Sequence, residues 1–158
     1  MNAGMRRVAD ALRERELDAE VCELPDSTRT APEAAAALGC EVAQIVKSLV
    51  FRGERSGDPV LVLASGADRV DEALLAEAAG EPIGKADPDF VRERTGFAIG
   101  GVPPVGHAQP IATFAEERLL ALDQVWAAAG TPRAVFGPVS PAELVRASGA
   151  RVVAVALS

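Results

Sequence analysis

Two stretches of this 158-residue chain carry residue types at spacings that can do chemistry. The first is Ile45-Val46-Lys47-Ser48-Leu49-Val50-Phe51. Its β-branched and aromatic content predicts a strand. Side chains alternate along a strand, so Ile45, Lys47, Leu49 and Phe51 share one face and Val46, Ser48 and Val50 the other. The pattern leaves open which face is buried. If it is the first, Lys47 projects from an apolar wall, where an ammonium is costly unless it is paired or meets an anionic or polar ligand. The plain alternative is a lysine at a strand edge with its head in water. Ser48 falls on the opposite face from Lys47, so a Ser-Lys dyad is not expected.

The second stretch is Gly100-Gly101-Val102-Pro103-Pro104-Val105-Gly106-His107. Its glycines and prolines exclude helix and strand interior. Glycines let a backbone approach a ligand closely and leave amides to donate. A tight connection between strands is the plain alternative. The spacing fits neither a Walker loop nor a GxGxxG fingerprint. His107 is the sole histidine, so a multi-histidine metal site is excluded. No nucleophile elbow and no HExxH occurs. Asp123 is a candidate pocket acid or a surface cap, and Glu116-Glu117 read as solvated.

These stretches need elements to position them. Met5 to Leu17 has the apolar stripe of an amphipathic helix. A strand at Glu20 to Leu24 is broken by Pro25-Asp26-Ser27. Thr30 and Glu33 have capping-box spacing for a helix through Leu38, with Gly39 at the C-cap. Cys40 to Gln44 is a turn into the Lys47 strand. Arg52 to Asp58 is a hairpin loop, and Pro59 to Ala64, apolar on both faces, is a central strand. Helices follow at Asp71 to Ala79 and from Asp87-Pro88 to Gly96, with a short strand at Ile83 between them. Strands are predicted at Ile111 to Phe114, Gln124 to Ala129, Ala134 to Phe136 and Arg151 to Leu157. Glu116 to Leu122 is a short helix or turn. Ser140-Pro141-Ala142-Glu143 starts the last helix. This mixed order implies a mixed or largely antiparallel sheet with helices outside, in one domain spanning residues 1–158.

Composition bounds the partners. Hydrophobic residues make up 49% and charged residues 25%, ordinary for a soluble globular chain. The N-terminus lacks a signal-peptide pattern and no run is long enough to span a membrane, so a cytoplasmic protein is expected. A net charge of −7 argues against wrapping duplex nucleic acid, though not against gripping the end of an RNA strand. The only lysines are Lys47 and Lys85. Cys22 and Cys40 are expected to be buried free thiols.

Taken together, the Thr-x-x-Glu-Ala-Ala helix, the Ile45-Val46-Lys47-Ser48-Leu49 strand, the Gly-Gly-x-x-Pro-x-Gly loop, the Ala-Gly before a strand and the Ser-Pro-x-x-Leu helix resemble the YbaK/ProX family. These are free-standing relatives of the editing domain inserted in bacterial prolyl-tRNA synthetases. The resemblance implies an α+β fold with a mixed, partly barrel-like β-sheet surrounded by helices. It implies hydrolysis, in trans, of the ester between a wrong amino acid and its tRNA. By position, Lys47 matches the essential lysine, and Gly100 and Pro104 match the G-x-x-x-P loop, with Gly101 and Gly106 alongside. Thr30 matches a threonine at the pocket mouth. The catalytic set so implied is Lys47, Gly100 and Gly101, with Thr30, Val102, Pro104, Gly106, His107, Ala128 and Gly130 binding substrate.

Ala128-Ala129-Gly130 stands where some members have Ser-Ala-Gly. The missing hydroxyl departs from members specific for Cys-tRNA. Pro-Pro-Val-Gly-His is more like members acting on tRNA(Pro) that carries alanine or another small residue. No cofactor and no metal is implied. The implied partners are the acceptor end of a mischarged aminoacyl-tRNA and, secondarily, prolyl-tRNA synthetase, with the chain a monomer or weak dimer. Three alternatives stay open: a Cys-tRNA(Pro) deacylase, a non-catalytic module binding an aminoacyl-tRNA end or a synthetase, and a hydrolase of another small acyl or aminoacyl ester.

Overall fold

The computed structural model describes residues 2–25 and 30–157. The helices are α1 (Ala3–Glu14), α2 (Ala31–Leu38), α3 (Glu72–Ala79), α4 (Pro88–Thr95) and α5 (Pro141–Ser148). Each starts at a side-chain cap. Asn2, Thr30, Asp71, Asp87 and Ser140 accept first-turn backbone amides that no helical carbonyl can reach. All but α1 end on a left-handed glycine. Of the break predicted at Pro25-Asp26-Ser27, Asp26 and Ser27 lie outside the described residues.

The strands are β1 (Glu20–Glu23), β2 (Val46–Gly53), β3 (Pro59–Ser65), β4 (Ile83–Lys85), β5 (Ala112–Glu116), β6 (Val125–Ala128), β7 (Ala134–Val139) and β8 (Arg151–Val153). They form two sheets, ordered β1-β7-β6 and β4-β2-β3-β5-β8. The fold is α+β as predicted, but the sheets do not close into a barrel. Among the described residues, one isolated parallel bridge, Ile45 to Trp126, links β6 to the start of β2.

β3 is the axis. It pairs antiparallel with β2 and parallel with β5, and all seven of its residues are buried. Leu61 and Leu63 enter the main core with Val8, Leu12, Phe136 and Leu144. Val60 and Val62 face a smaller cluster with Leu75, Phe114 and Val155. Burying each such side chain stabilises by about 1.5–3 kcal/mol, so β3 and its covers hold β2 firmly.

Three sequence expectations are corrected. Cys22 is exposed, because β1 is an outer strand whose Val21 turns inward. Cys40 is half-buried, and both thiols are free. The last strand stops at Val153, because the backbone beyond it finds other partners. The Val155 amide donates to Glu116 Oε2 at 2.5 Å and the Leu157 amide to the Arg69 carbonyl at 2.8 Å. Glu116 is therefore not solvated. It is buried, and its Oε1 also accepts from the Arg118 amide at 3.2 Å. No helix among the described residues is long and apolar enough to cross a membrane.

Replacing Glu116 with alanine leaves a buried amide unpaired. A loss of about 2 kcal/mol, or roughly 6 °C in Tm, is expected in thermal unfolding.

Candidate active site

The site grows from one strand edge. β3 covers one edge of β2 from Val46 to Arg52. On the other edge, the Ile45–Trp126 bridge holds one end, and β4 pairs with Phe51–Gly53 at the far end. Residues 47–50 have no strand neighbour there among the described residues. A cavity of about 280 Å³ opens against this gap. Ile45 to Leu49 form one wall, and Ile99, Gly100 and Val102 another. Trp126, Ala127 and Ala128 of β6 close the base, and Thr30, Ala31 and Ala34 stand at the α2 side.

Both faces of β2 are covered, but unevenly. Val46 and Val50 pack into the main core. On the other face Ile45 joins a cluster with Leu24, Ala34 and Val135, while Phe51 joins the cluster around Leu75. Lys47 lies between those two clusters, half-buried. Its ammonium donates to the backbone carbonyl of Asp68. The Asp68 carboxylate turns instead to Arg118, at 3.3 Å. Lys47 therefore has a hydrogen bond but, among the described residues, no ion pair.

The carbonyl is held in place locally. Ser65 Oγ donates to the Ala43 carbonyl at 2.7 Å, and the Gly66 amide donates to the Ile45 carbonyl at 2.6 Å. A Cβ at Gly66 would stand 2.6 Å from the Val42 oxygen, so only glycine lets the turn sit this close. Ser48 Oγ faces away from Lys47. Among the described residues it is the one buried side-chain polar atom without a hydrogen-bond partner.

The structure divides the sequence-predicted residues. Lys47, Thr30, Gly100, Val102 and Ala128 line the cavity together. Thr30 also caps α2, accepting from the Glu33 amide at 3.3 Å and donating to its carboxylate at 2.9 Å. Gly101 and Gly130 do not line it and instead pack backbone against backbone. The Gly101 amide donates to the Ala98 carbonyl, and its own carbonyl accepts from the Gly130 amide, both at 3.0 Å. A Cβ on Gly101 would lie 2.7 Å from the Thr131 backbone, and one on Gly130 2.6 Å from the Gly4 oxygen. The Gly100 and Val102 amides have no such partner among the described residues.

Pro104 and His107 line a separate cavity with Arg15, Thr113 and Ser148. A Cβ on Gly106 would lie 3.2 Å from that of Ala11 on α1. The stiff Pro103-Pro104 step carries the chain from the pocket wall into the core. Asp123 is exposed, in a surface cleft beside Gly39 and Cys40. Sequence reasoning missed Leu24, Trp126, Pro132 and the α2 alanines. Trp126 had a signal, being the sole tryptophan and lying two residues before Ala128.

The cavity wall is mainly apolar. Among its described residues are no carboxylate, histidine or cysteine. No group of His, Cys, Asp or Glu among the described residues is placed to hold a metal ion. What the site offers is a cation, unpartnered amides and a confined apolar space.

Residues 25–147 match the family model described as the aminoacyl-tRNA editing domain. The chain belongs to that family. It is 50% identical to a candidate trans-editing enzyme for prolyl tRNA synthetase of known crystal structure, with a TM-score of 0.93 over 100% of this chain and 99% of that one. It is 33% identical to the protein YwhH of Bacillus subtilis over 84% of this chain and 83% of YwhH. It is also 34% identical to a segment of the proline–tRNA ligase of Limosilactobacillus fermentum. That match covers 57% of this chain and 16% of the ligase.

His107 gives this editing domain a pH dependence outside the pocket. Its Nε2–H donates to the Pro103 carbonyl at 2.6 Å. Burial lowers its pKa, outweighing the hydrogen bond, and Arg15 lowers it further. The folded state thus favours the neutral ring. Its contribution is complete above the unfolded value of about 6.5 and is lost as pH falls through the folded value. Thermal melts from pH 7.5 to 5.5 should show a wild-type Tm decline that is smaller in His107→Asn.

Proposed function

We propose that this chain is a trans-editing aminoacyl-tRNA deacylase, and that its substrate is tRNA(Pro) carrying alanine or another small amino acid. The observation that carries this is Lys47, whose ammonium has no ion pair among the described residues, in the wall of a small apolar cavity beside unpartnered loop amides. A cation held by a neutral carbonyl keeps its charge for a phosphate or for charge that develops during reaction. Amides at Gly100 and Val102 are the donors available to an oxyanion. Gly101, whose amide is already engaged, instead fixes the loop.

Ester hydrolysis also needs an activated water. Among the described residues the cavity supplies no side-chain base, so the substrate's own terminal ribose hydroxyl or amino group is assigned that part. The proton leaves the water as it attacks the ester carbonyl. The tetrahedral oxyanion collapses, the acyl–oxygen bond breaks, and the ribose oxygen leaves protonated. Products are the free amino acid and intact tRNA.

Selection is steric. Ile45, Trp126 and Val102 confine the space, and Ala31, Ala34, Ala127 and Ala128 set its bore. One methylene in such a pocket discriminates by only about 1–3 kcal/mol, which limits what a synthetase achieves alone and leaves work for a second site. Ala128 brings no hydroxyl to the wall, which favours alanine over cysteine as the residue removed.

Deacylation of Ala-tRNA(Pro), Cys-tRNA(Pro) and Pro-tRNA(Pro) tests this. Rapid hydrolysis of the alanyl species and sparing of the prolyl species are expected. Lys47→Ala should lose about 100-fold or more in kcat/KM, the scale of removing one transition-state contact. Hydrolysis of none of the three, by folded protein, would overturn the proposal. Full activity in Lys47→Ala would overturn the role of Lys47.

A further inference from the structure

A second cavity, of about 240 Å³, continues the first along β2. The two share Ser48, Leu49, Ile99, Gly100 and Val102, so a ligand filling one touches the wall of the other. The second is lined further by Phe51, Ala86 and Val91, with Lys85 at its end. Lys85 lies opposite Phe51 in the β2–β4 pairing, about 13 Å along the strand from Lys47. It is exposed and makes no ion pair among the described residues.

Both lysines of a chain with net charge −7 thus flank the same open strand edge, one in each cavity, and neither has an ion pair among the described residues. Arg52 adds charge on the same strand pair, next to Gly84, although Glu54 also lies over Gly84. Ile99, on the lip common to both cavities, is 51% exposed, an apolar side chain with nothing over it.

We infer that this second cavity seats the nucleotide that precedes the aminoacylated terminal adenosine, its base against Ile99 and the apolar wall and its phosphate on Lys85. The inference rests on the deacylase reading of the Lys47 cavity, and it extends that site by one subsite. A flat aromatic base suits an apolar slot because every base has a π-face. A compact ammonium suits a phosphate as a point charge. The subsite accounts for how an acidic protein holds an RNA end: few charges, placed only where the strand leaves the pocket.

The test is binding, independent of turnover. Wild type and Lys85→Gln, both ¹⁵N-labelled, are titrated with the trinucleotide CpCpA and with adenosine. CpCpA should shift the amides of Phe51, Ala86 and Val91, and Lys85→Gln should weaken it at least fivefold while leaving adenosine binding unchanged. The slope of log affinity against log salt should fall by about 0.7, the value for one phosphate contact on a single strand. Lys85→Arg should restore affinity. Equal CpCpA affinity in wild type and Lys85→Gln would overturn the inference, as would shifts confined to residues outside this cavity. Loss of adenosine and CpCpA binding alike in Lys85→Gln would overturn it too. Failure of the deacylase proposal shows separately, as absent hydrolysis of Ala-tRNA(Pro).

Discussion

Four residues of β2 that have no strand neighbour on one edge among the described residues are the constraint on which the site depends. A sheet edge normally invites pairing. Here β6 and β4 pin the two ends, and the Ile99–Val102 loop crosses the gap without pairing to it. The result is a slot with backbone groups along one side and apolar side chains along the other. Its rigidity comes from β3, buried along its whole length between two clusters. Lys47 takes its position from the same arrangement. The turn after β3 folds back onto the start of β2 through Ser65 and Gly66, and so brings the Asp68 carbonyl to the ammonium.

The choice of a carbonyl as that partner has a chemical consequence. A carboxylate at the same place would cancel the charge and compete with any anionic ligand. A carbonyl orients the ammonium and leaves the charge in place. The Asp68 carboxylate itself turns to Arg118. Desolvating an ammonium is expensive, and Lys47 is only half-buried, so its hydration is not wholly lost. The site is thereby suited to a ligand that is apolar at its acyl end and anionic along its backbone.

Much of this was legible in the sequence, for identifiable reasons. Caps at Thr30, Asp71, Asp87 and Ser140 and the glycines that close those helices are local signals, and the helices fall where those signals place them. The two-faced apolar run at residues 59–64 marks a central strand because no other position buries both faces. Lys47, Thr30, Gly100, Val102 and Ala128, far apart in sequence, line one cavity. What local pattern does not encode is which backbone a glycine approaches. Gly101 and Gly130 read as ligand-facing and instead let the loop, the turn at Thr131 and the start of α1 pack closely. Pro104, Gly106 and His107 follow the pocket loop in sequence but serve another cavity and the α1 contact, since the diproline redirects the chain. Glu116 looked solvated beside Glu117, because its partner, the Val155 amide, lies 39 residues away.

The central claim is that the acyl-adenosine end of the substrate sits in the slot between β2 and the Ile99–Val102 loop. Its most direct test is an NMR titration with a non-hydrolysable 3′-amide analogue of alanyl-adenosine. The account predicts shifts at the amides of Ser48, Leu49, Gly100 and Val102, and their loss in a variant that fills the slot, Ala128→Phe. Shifts centred on Pro104 to His107, with Ser48 and Gly100 unmoved, would contradict it.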